Sequence, residues 1–271
     1  MRLGIAVLVA AFALAALSTA SSSRSLTPLP HSALVPNTVA FRGDGRYGIV
    51  GTGSQYSGHA GGTISLTWDG GRTWRVVRRT KSPVIYAAWF HDSFYVQLLN
   101  GLTLRGRGHS WERNPGHLFD ASCWGWYSQG VTADIVDTNE VRPWSVCVGQ
   151  GGAGMEAKAV YRGAKRVAYT PMTGGHARGQ ISSYGYPEGI AGGYGQFGII
   201  WESRGTLYIT HDGGHHWYPH PKVARPEVDF GQWADVAWTK LGFVLLERNQ
   251  HSRLIKTTDA GRTWHVVHRW R

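Results

Sequence analysis

Among the 271 residues, the side chains able to do chemistry are scattered arginines, one tyrosine-rich stretch, a few clustered histidines and two cysteines. Arg42, Arg142, Arg178 and Arg204 each carry a planar guanidinium that can grip a carboxylate through two parallel bonds. Tyr184-Gly185-Tyr186-Pro187-Glu188 sets phenols close in sequence to a carboxylate. Arginines holding a sugar carboxylate, a Tyr activated by a Glu and an Asp acid/base would together hydrolyse an acidic glycoside. Each group also has a plain structural explanation. Tyr186-Pro187 in a Gly-rich stretch reads as a loop before a strand, and single arginines beside turns are ordinarily solvated.

His215, His216 and His220 invite a metal reading, but adjacent residues of a strand point to opposite faces, which is poor geometry for one ion. No Ser-His-Asp spacing, phosphate loop or nucleotide fingerprint is present, so no metal and no cofactor is expected. Cys123 and Cys147 are the only cysteines, and no Cys-x-x-Cys accompanies them. In an exported protein such a pair forms a disulfide, here closing a loop of about two dozen residues and contributing roughly 3 kcal/mol. The alternative is two buried free thiols.

These groups must be positioned by elements, and the elements announce themselves as a repeat. Thr67-Trp68-Asp69-Gly70-Gly71-Arg72-Thr73-Trp74 returns as Thr210-His211-Asp212-Gly213-Gly214-His215-His216-Trp217 and as Thr257-Thr258-Asp259-Ala260-Gly261-Arg262-Thr263-Trp264. Thr, Asp, Gly and Trp hold fixed places in all three copies. Asp-Gly-Gly and Asp-Ala-Gly are turn chemistry: the carboxylate accepts N–H groups of the turn, and Gly takes a positive φ. Period-2 apolar segments lead in, at Ile64 and Leu66 or Leu207 and Ile209, and out, at Trp74 and Val76 or Trp264 and Val266. Each copy is therefore strand, tight turn, strand, and the Trp needs a neighbouring layer to cover it.

The pattern resembles the Asp-box, or bacterial neuraminidase repeat, of sialidases, sortilin-type receptors and photosystem II assembly-factor-type propellers. The resemblance implies an all-β fold, a β-propeller of four-stranded blades with each box between the two outer strands of a blade. It also implies that Asp69, Trp74, Asp212, Trp217, Asp259 and Trp264 are structural and lie away from the ligand face. The sialidase Arg-Ile-Pro signature is absent; Phe41-Arg42-Gly43-Asp44 is the nearest stretch. The fold hosts enzymes and binding proteins alike, so function has to come from the site.

Along the chain, Met1-Arg2, an apolar run from Leu3 to Leu17 and Ser18-Thr19-Ala20 read as a secretory signal peptide over residues 1–20. An uncleaved anchor is the alternative, although the run is short for the ~20 residues a span requires. Residues 21–36 read as a loose Ser/Pro-rich segment and 37–271 as the propeller domain. Unit one runs from Thr38 to the box at Asp69. Unit two ends at Leu104–Trp111, a decayed box with Gly106 in the Asp position. Unit three is divergent, with Ala133–Val136, Trp144–Val148 and a boxless hairpin around Arg162-Gly163-Ala164. Units four and five end at Asp212 and Asp259. The interval from Gly106 to Asp212 is more than twice that from Asp212 to Asp259, which leaves room for the boxless unit. The count is about five blades, with six as the alternative.

The formal charge of +11 suggests an anionic partner, or else only a solubilising surface. Thirteen Trp and twelve Tyr add stacking surface, some of it outside the repeats. The expectation is an exported, monomeric, non-catalytic module binding an anionic glycan or an acidic protein surface, with no nucleic acid partner and no membrane span once the leader is cut. The alternative is a sialidase-like glycoside hydrolase with a remodelled site. The expected ligand face is the end opposite the box turns, with Arg42, Arg46, Trp124, Trp126, Arg178, Tyr186 and Glu188 as binding residues.

Overall fold

The computed structural model describes residues 35–53, 61–90, 92–114, 144–152, 154–163, 165–172, 177–192, 195–202, 206–220, 234–248 and 251–270. Among them there is no helix, and every strand pairing is antiparallel. The first sheet is β1 (Pro36–Phe41), β2 (Gly48–Thr52), β3 (Gly62–Thr67) and β4 (Arg75–Thr80). The second is β5 (Val84–Phe90), β6 (Ser93–Leu98), β7 (Thr103–Arg107) and β8 (Ser110–Arg113). The third has β9 (Trp144–Gly152), β10 (Met155–Arg162) and β11 (Lys165–Thr170). The fourth has β12 (Pro187–Gly192), β13 (Gly198–Glu202), β14 (Leu207–Thr210) and β15 (Tyr218–Pro219). The fifth has β16 (Ala234–Trp238), β17 (Leu241–Arg248), β18 (His251–Thr257) and β19 (His265–Arg269).

Strands follow one another in space as they do in sequence, so each sheet is a meander. The sheets then lie side by side. β1 packs against β5 and β16, and β12 against β9 and β16. Tyr86 and Ala88 of β5 share one core cluster with Trp144 and Val146 of β9. This cyclic stacking of meander sheets is a β-propeller. The first and last sheets meet by side-chain packing, Phe41 stacked on Phe243 at 3.7 Å and 10°.

Burial follows strand position. β2, β3, β13 and β14 are buried along their whole length, as strands covered on both faces must be. The edge strands β4, β8, β11 and β19 are mostly exposed and carry Arg75, Arg78, Arg79, Arg113, Lys165, Arg166 and Arg269. Charged edges resist pairing with another chain. A share of the excess positive charge is thus explained by edge protection without any ligand.

Two expectations change. The second unit has no box-shaped loop: Gly106 sits in the β7–β8 ladder opposite Trp111, and the turn is only Gly108-His109. Without the carboxylate to organise it, the loop contracts to a two-residue hairpin, although Trp111 Nε1 still donates to Gly108 O at 3.0 Å. The second change is of place. In a meander the first and third turns share an end, so the Arg42–Arg46 loop, joining β1 to β2, lies beside the repeat turn joining β3 to β4. Gly70 N donates to Arg46 O at 2.9 Å. The leader, Ala133–Val136, Cys123, Trp124 and Trp126 lie outside the described residues; Cys147 is buried on β9.

Candidate functional site

The repeat turns come first because they fix everything near them. Thr67 Oγ1 donates to Asp69 Oδ1 at 2.8 Å and accepts Gly71 N at 2.9 Å. Asp69 Oδ1 also accepts Arg72 N and Thr73 N, both at 3.0 Å, and Oδ2 accepts Thr73 Oγ1 at 2.7 Å. Trp74 Nε1 donates back to Gly71 O at 2.9 Å. Thr257, Asp259, Thr263 and Trp264 repeat the network, as do Thr210, Asp212 and Trp217, where His216 Nδ1 takes the place of the Thr hydroxyl at 2.5 Å. Positive φ values at Gly71 (92°), Gly214 (90°) and Gly261 (83°) make the turn possible.

Burial opposes the charge on Asp69, but the bonds from Thr73, Thr67 and Arg72 outweigh it and hold the carboxyl down to about 2. The carboxylates are thus engaged inside their own turns. They build the scaffold and have little left for a ligand.

What varies between copies stands on top of this scaffold. In each copy the residue after the Asp donates its N–H to the first-turn loop of the same sheet: Gly70 to Arg46 O, Gly213 to Gln196 O, Ala260 to Lys240 O. This bond aligns three sets of neighbours. The residue before the Asp is Trp68, His211 or Thr258; the loop residue is Arg46, Gln196 or Lys240; the next is Tyr47, Phe197 or Leu241. Of these three sets only the first combines indole, guanidinium and phenol. There Arg42, Asp44, Arg46, Tyr47 and Trp68 line an open hollow of about 360 Å³.

The hollow is held rigidly. Asp44 Oδ1 accepts Arg46 N at 2.9 Å and Tyr47 N at 3.3 Å, an Asx turn that shapes the loop, while Oδ2 takes the Arg42 guanidinium. Asp44 is held below the usual carboxylate range: its burial raises the pKa, and the bonds from Arg42, Arg46 and Tyr47 more than reverse that. Trp68 is 50% exposed, its ring 6.0 Å from Tyr47 and tilted 32°. Tyr47 in turn packs on Phe94 (5.1 Å) and Trp89 (6.1 Å), and its hydroxyl accepts Gly108 N at 2.9 Å. The Lys256 ammonium sits on the far flank, near Gly70.

At the opposite end, between the third and fourth sheets, the charges are inside. Lys158 on β10 is fully buried and donates to Glu202 Oε1 on β13 at 2.5 Å, to Ser182 O at 2.6 Å and to Tyr184 O at 3.1 Å. The ammonium clamps segment 182–184 between the sheets. Ser182 N donates to the Tyr208 hydroxyl at 3.1 Å, and burial with the nearby Glu202 charge pushes that phenol up to about 12. Glu188, on β12, is pushed up to about 7 by burial. Tyr184 and Tyr186 are exposed.

The structure therefore divides the expected binding residues. Arg42 and Arg46 come together, with Trp68, a variable position of the repeat, as their neighbour. Arg178 stands on the turn 177–180, where Gly179 O accepts Trp217 N at 2.8 Å, beside the fourth sheet's repeat turn. Tyr186 and Glu188 lie at the clamp end. Arg142 and Arg204 are outside the described residues. Among the described residues no guanidinium acts on Glu188 strongly enough to lower its pKa. The signal for Trp68 was in the sequence: within a motif of fixed positions it occupies a variable one.

Solved structures similar in fold include YCF48 from Cyanidioschyzon merolae, 12% identical, covering 87% of this chain and 98% of that one, with a TM-score of 0.46. YCF48 bound to D1 peptide is 12% identical over 88% of this chain and 82% of its own, TM-score 0.44. A GH74 xyloglucanase from Xanthomonas campestris is 14% identical over 88% of this chain and 38% of the enzyme, TM-score 0.33. No family model matches the chain, and no curated protein does.

Proposed function

We propose that the protein is an exported, non-catalytic propeller of about five blades, three of them with Asp-box-type turns, that acts as a binding or assembly module for an anionic partner, a glycan or an acidic protein segment. The partner is taken at the repeat-turn end, in the hollow of Arg42, Arg46, Tyr47 and Trp68. One observation carries this reading: a half-exposed indole and two guanidiniums are gathered on a rigid scaffold whose counterparts in the other two copies are His211 with Gln196 and Thr258 with Lys240. Functional groups that vary over a constant frame mark a specialised site.

The test is retention of the protein on immobilised polygalacturonate and on immobilised polyglutamate. Arg42→Gln/Arg46→Gln should elute at clearly lower salt than an edge-strand control of equal charge change, Arg75→Gln/Arg79→Gln. Equal losses from the two pairs would reduce the effect to net charge and remove the hollow from the account. Export is checked by N-terminal sequencing, which should begin at Ser21. The Cys123–Cys147 bridge is checked by intact mass after alkylation, which should show no modified thiol before reduction.

A further inference from the structure

Resting on that reading, we infer that the hollow recognises an acidic sugar, a pyranose ring bearing a carboxylate as in uronic acid polymers. Trp68 is half-exposed and lines the hollow beside Tyr47, whose ring centre is 6.0 Å away, so a flat ring can lie against the indole. The CH-rich face of a pyranose suits an indole surface. The wall beside it is a donor next to an acceptor. Arg42 gives one N–H to Asp44 and keeps others, and Asp44 Oδ2 takes only that one bond among the described residues. Neighbouring hydroxyls, each both donor and acceptor, match such a pair. An acidic peptide offers carboxylates and backbone amides but no such run of neighbouring hydroxyls.

Arg46 supplies the charge recognition. Its backbone is committed to Asp44 and Gly70, while its guanidinium has no hydrogen bond or ion pair among the described residues. Its fork is suited to two bonds with one carboxylate. Tyr47 is spoken for, its hydroxyl holding Gly108 N, and serves as the brace under the platform. A volume of about 360 Å³ is at the small end for ligand clefts, in keeping with a ring or two of a longer chain crossing the surface.

Calorimetric titration of the full chain with tetragalacturonate, with its methyl ester and with tetraglutamate separates the outcomes. The acid should bind about tenfold more tightly than the ester. Trp68→Ala should weaken both sugars at least tenfold, and Trp68→Tyr should restore most of the loss, which excludes misfolding as its cause. Arg46→Gln should abolish the preference for acid over ester while leaving ester binding in place. Tetraglutamate binding as tightly as the uronate, with no response to Trp68→Ala, would overturn the sugar assignment and leave the anion-binding hollow standing. Failure of every hollow substitution to change the binding of any probe would overturn both.

Discussion

At the repeat-turn end the charged groups stand at the surface and are organised by their own loops: Arg42 pairs with Asp44 two residues away, and Asp69 gathers Thr67, Arg72 and Thr73 around itself. At the clamp end the charges are inside and reach across chain distance and between sheets, Lys158 meeting Glu202 and two carbonyls of segment 182–184. An exposed ion pair contributes little because water competes for it. A buried one is costly to break because the surviving charge has no water. One end can therefore exchange its side chains for ligand recognition at small cost to the fold, while the other holds two sheets together.

The largest expected effect tests this contrast. Lys158→Met keeps the length of the side chain but leaves Glu202 buried without a cation, so it should destabilise the protein by about 3–5 kcal/mol. Adding Glu202→Leu should recover part of the loss. Recovery stays incomplete because Ser182 O and Tyr184 O still lack their donor, at about 1–3 kcal/mol. Arg42→Gln should cost about 0.5 kcal/mol or less. Urea denaturation measures all three, and a Lys158→Met loss as small as that of Arg42→Gln would abolish the distinction between the ends.

A middle-sized effect sits in the scaffold of the turn end. Asp69→Ala removes the acceptor for Arg72 N, Thr73 N and two hydroxyls, and because water reaches this turn the cost should be about 1 kcal/mol. The loss should also be pH-dependent. The Asp69 carboxyl is lowered from 3.8 to about 2, so its contribution is complete above about pH 4 and disappears as the pH falls through 2. Acid titration of stability should show that step in the native protein and a weaker one in Asp69→Ala, with two further turns still contributing.

The same contrast explains what could be read from the residues alone. Asp69, Gly71 and Trp74 declare their turn because every partner lies within a few positions, and three copies say it again. Lys158 and Glu202 are 44 positions apart on different sheets, and nothing local in either strand marks them as a pair. Arg42 and Arg46 were recognisable as basic residues beside a turn. Their end of the molecule follows only from counting strands, since the first and third turns of a meander must coincide. Trp68 was hidden by its place inside a motif whose other aromatic residue is structural.

The last expected effect lies at the clamp end and runs with pH in the other direction. Burial raises Glu188 from 4.5 to about 7, so the folded protein holds that proton more tightly than the unfolded chain does. Stability from this group is greatest below about pH 4.5 and is lost as the pH rises through 7, opposite in sign to Asp69. Glu188 keeps part of its side chain in water, which screens the change. Glu188→Gln, which cannot ionise, should flatten the decline in melting temperature between pH 5 and 8 and leave the acid step of Asp69 intact. If the substitution instead leaves the neutral-pH slope unchanged, proton binding in that range belongs to other groups, such as Glu202 and Glu156, whose carboxyls burial also raises.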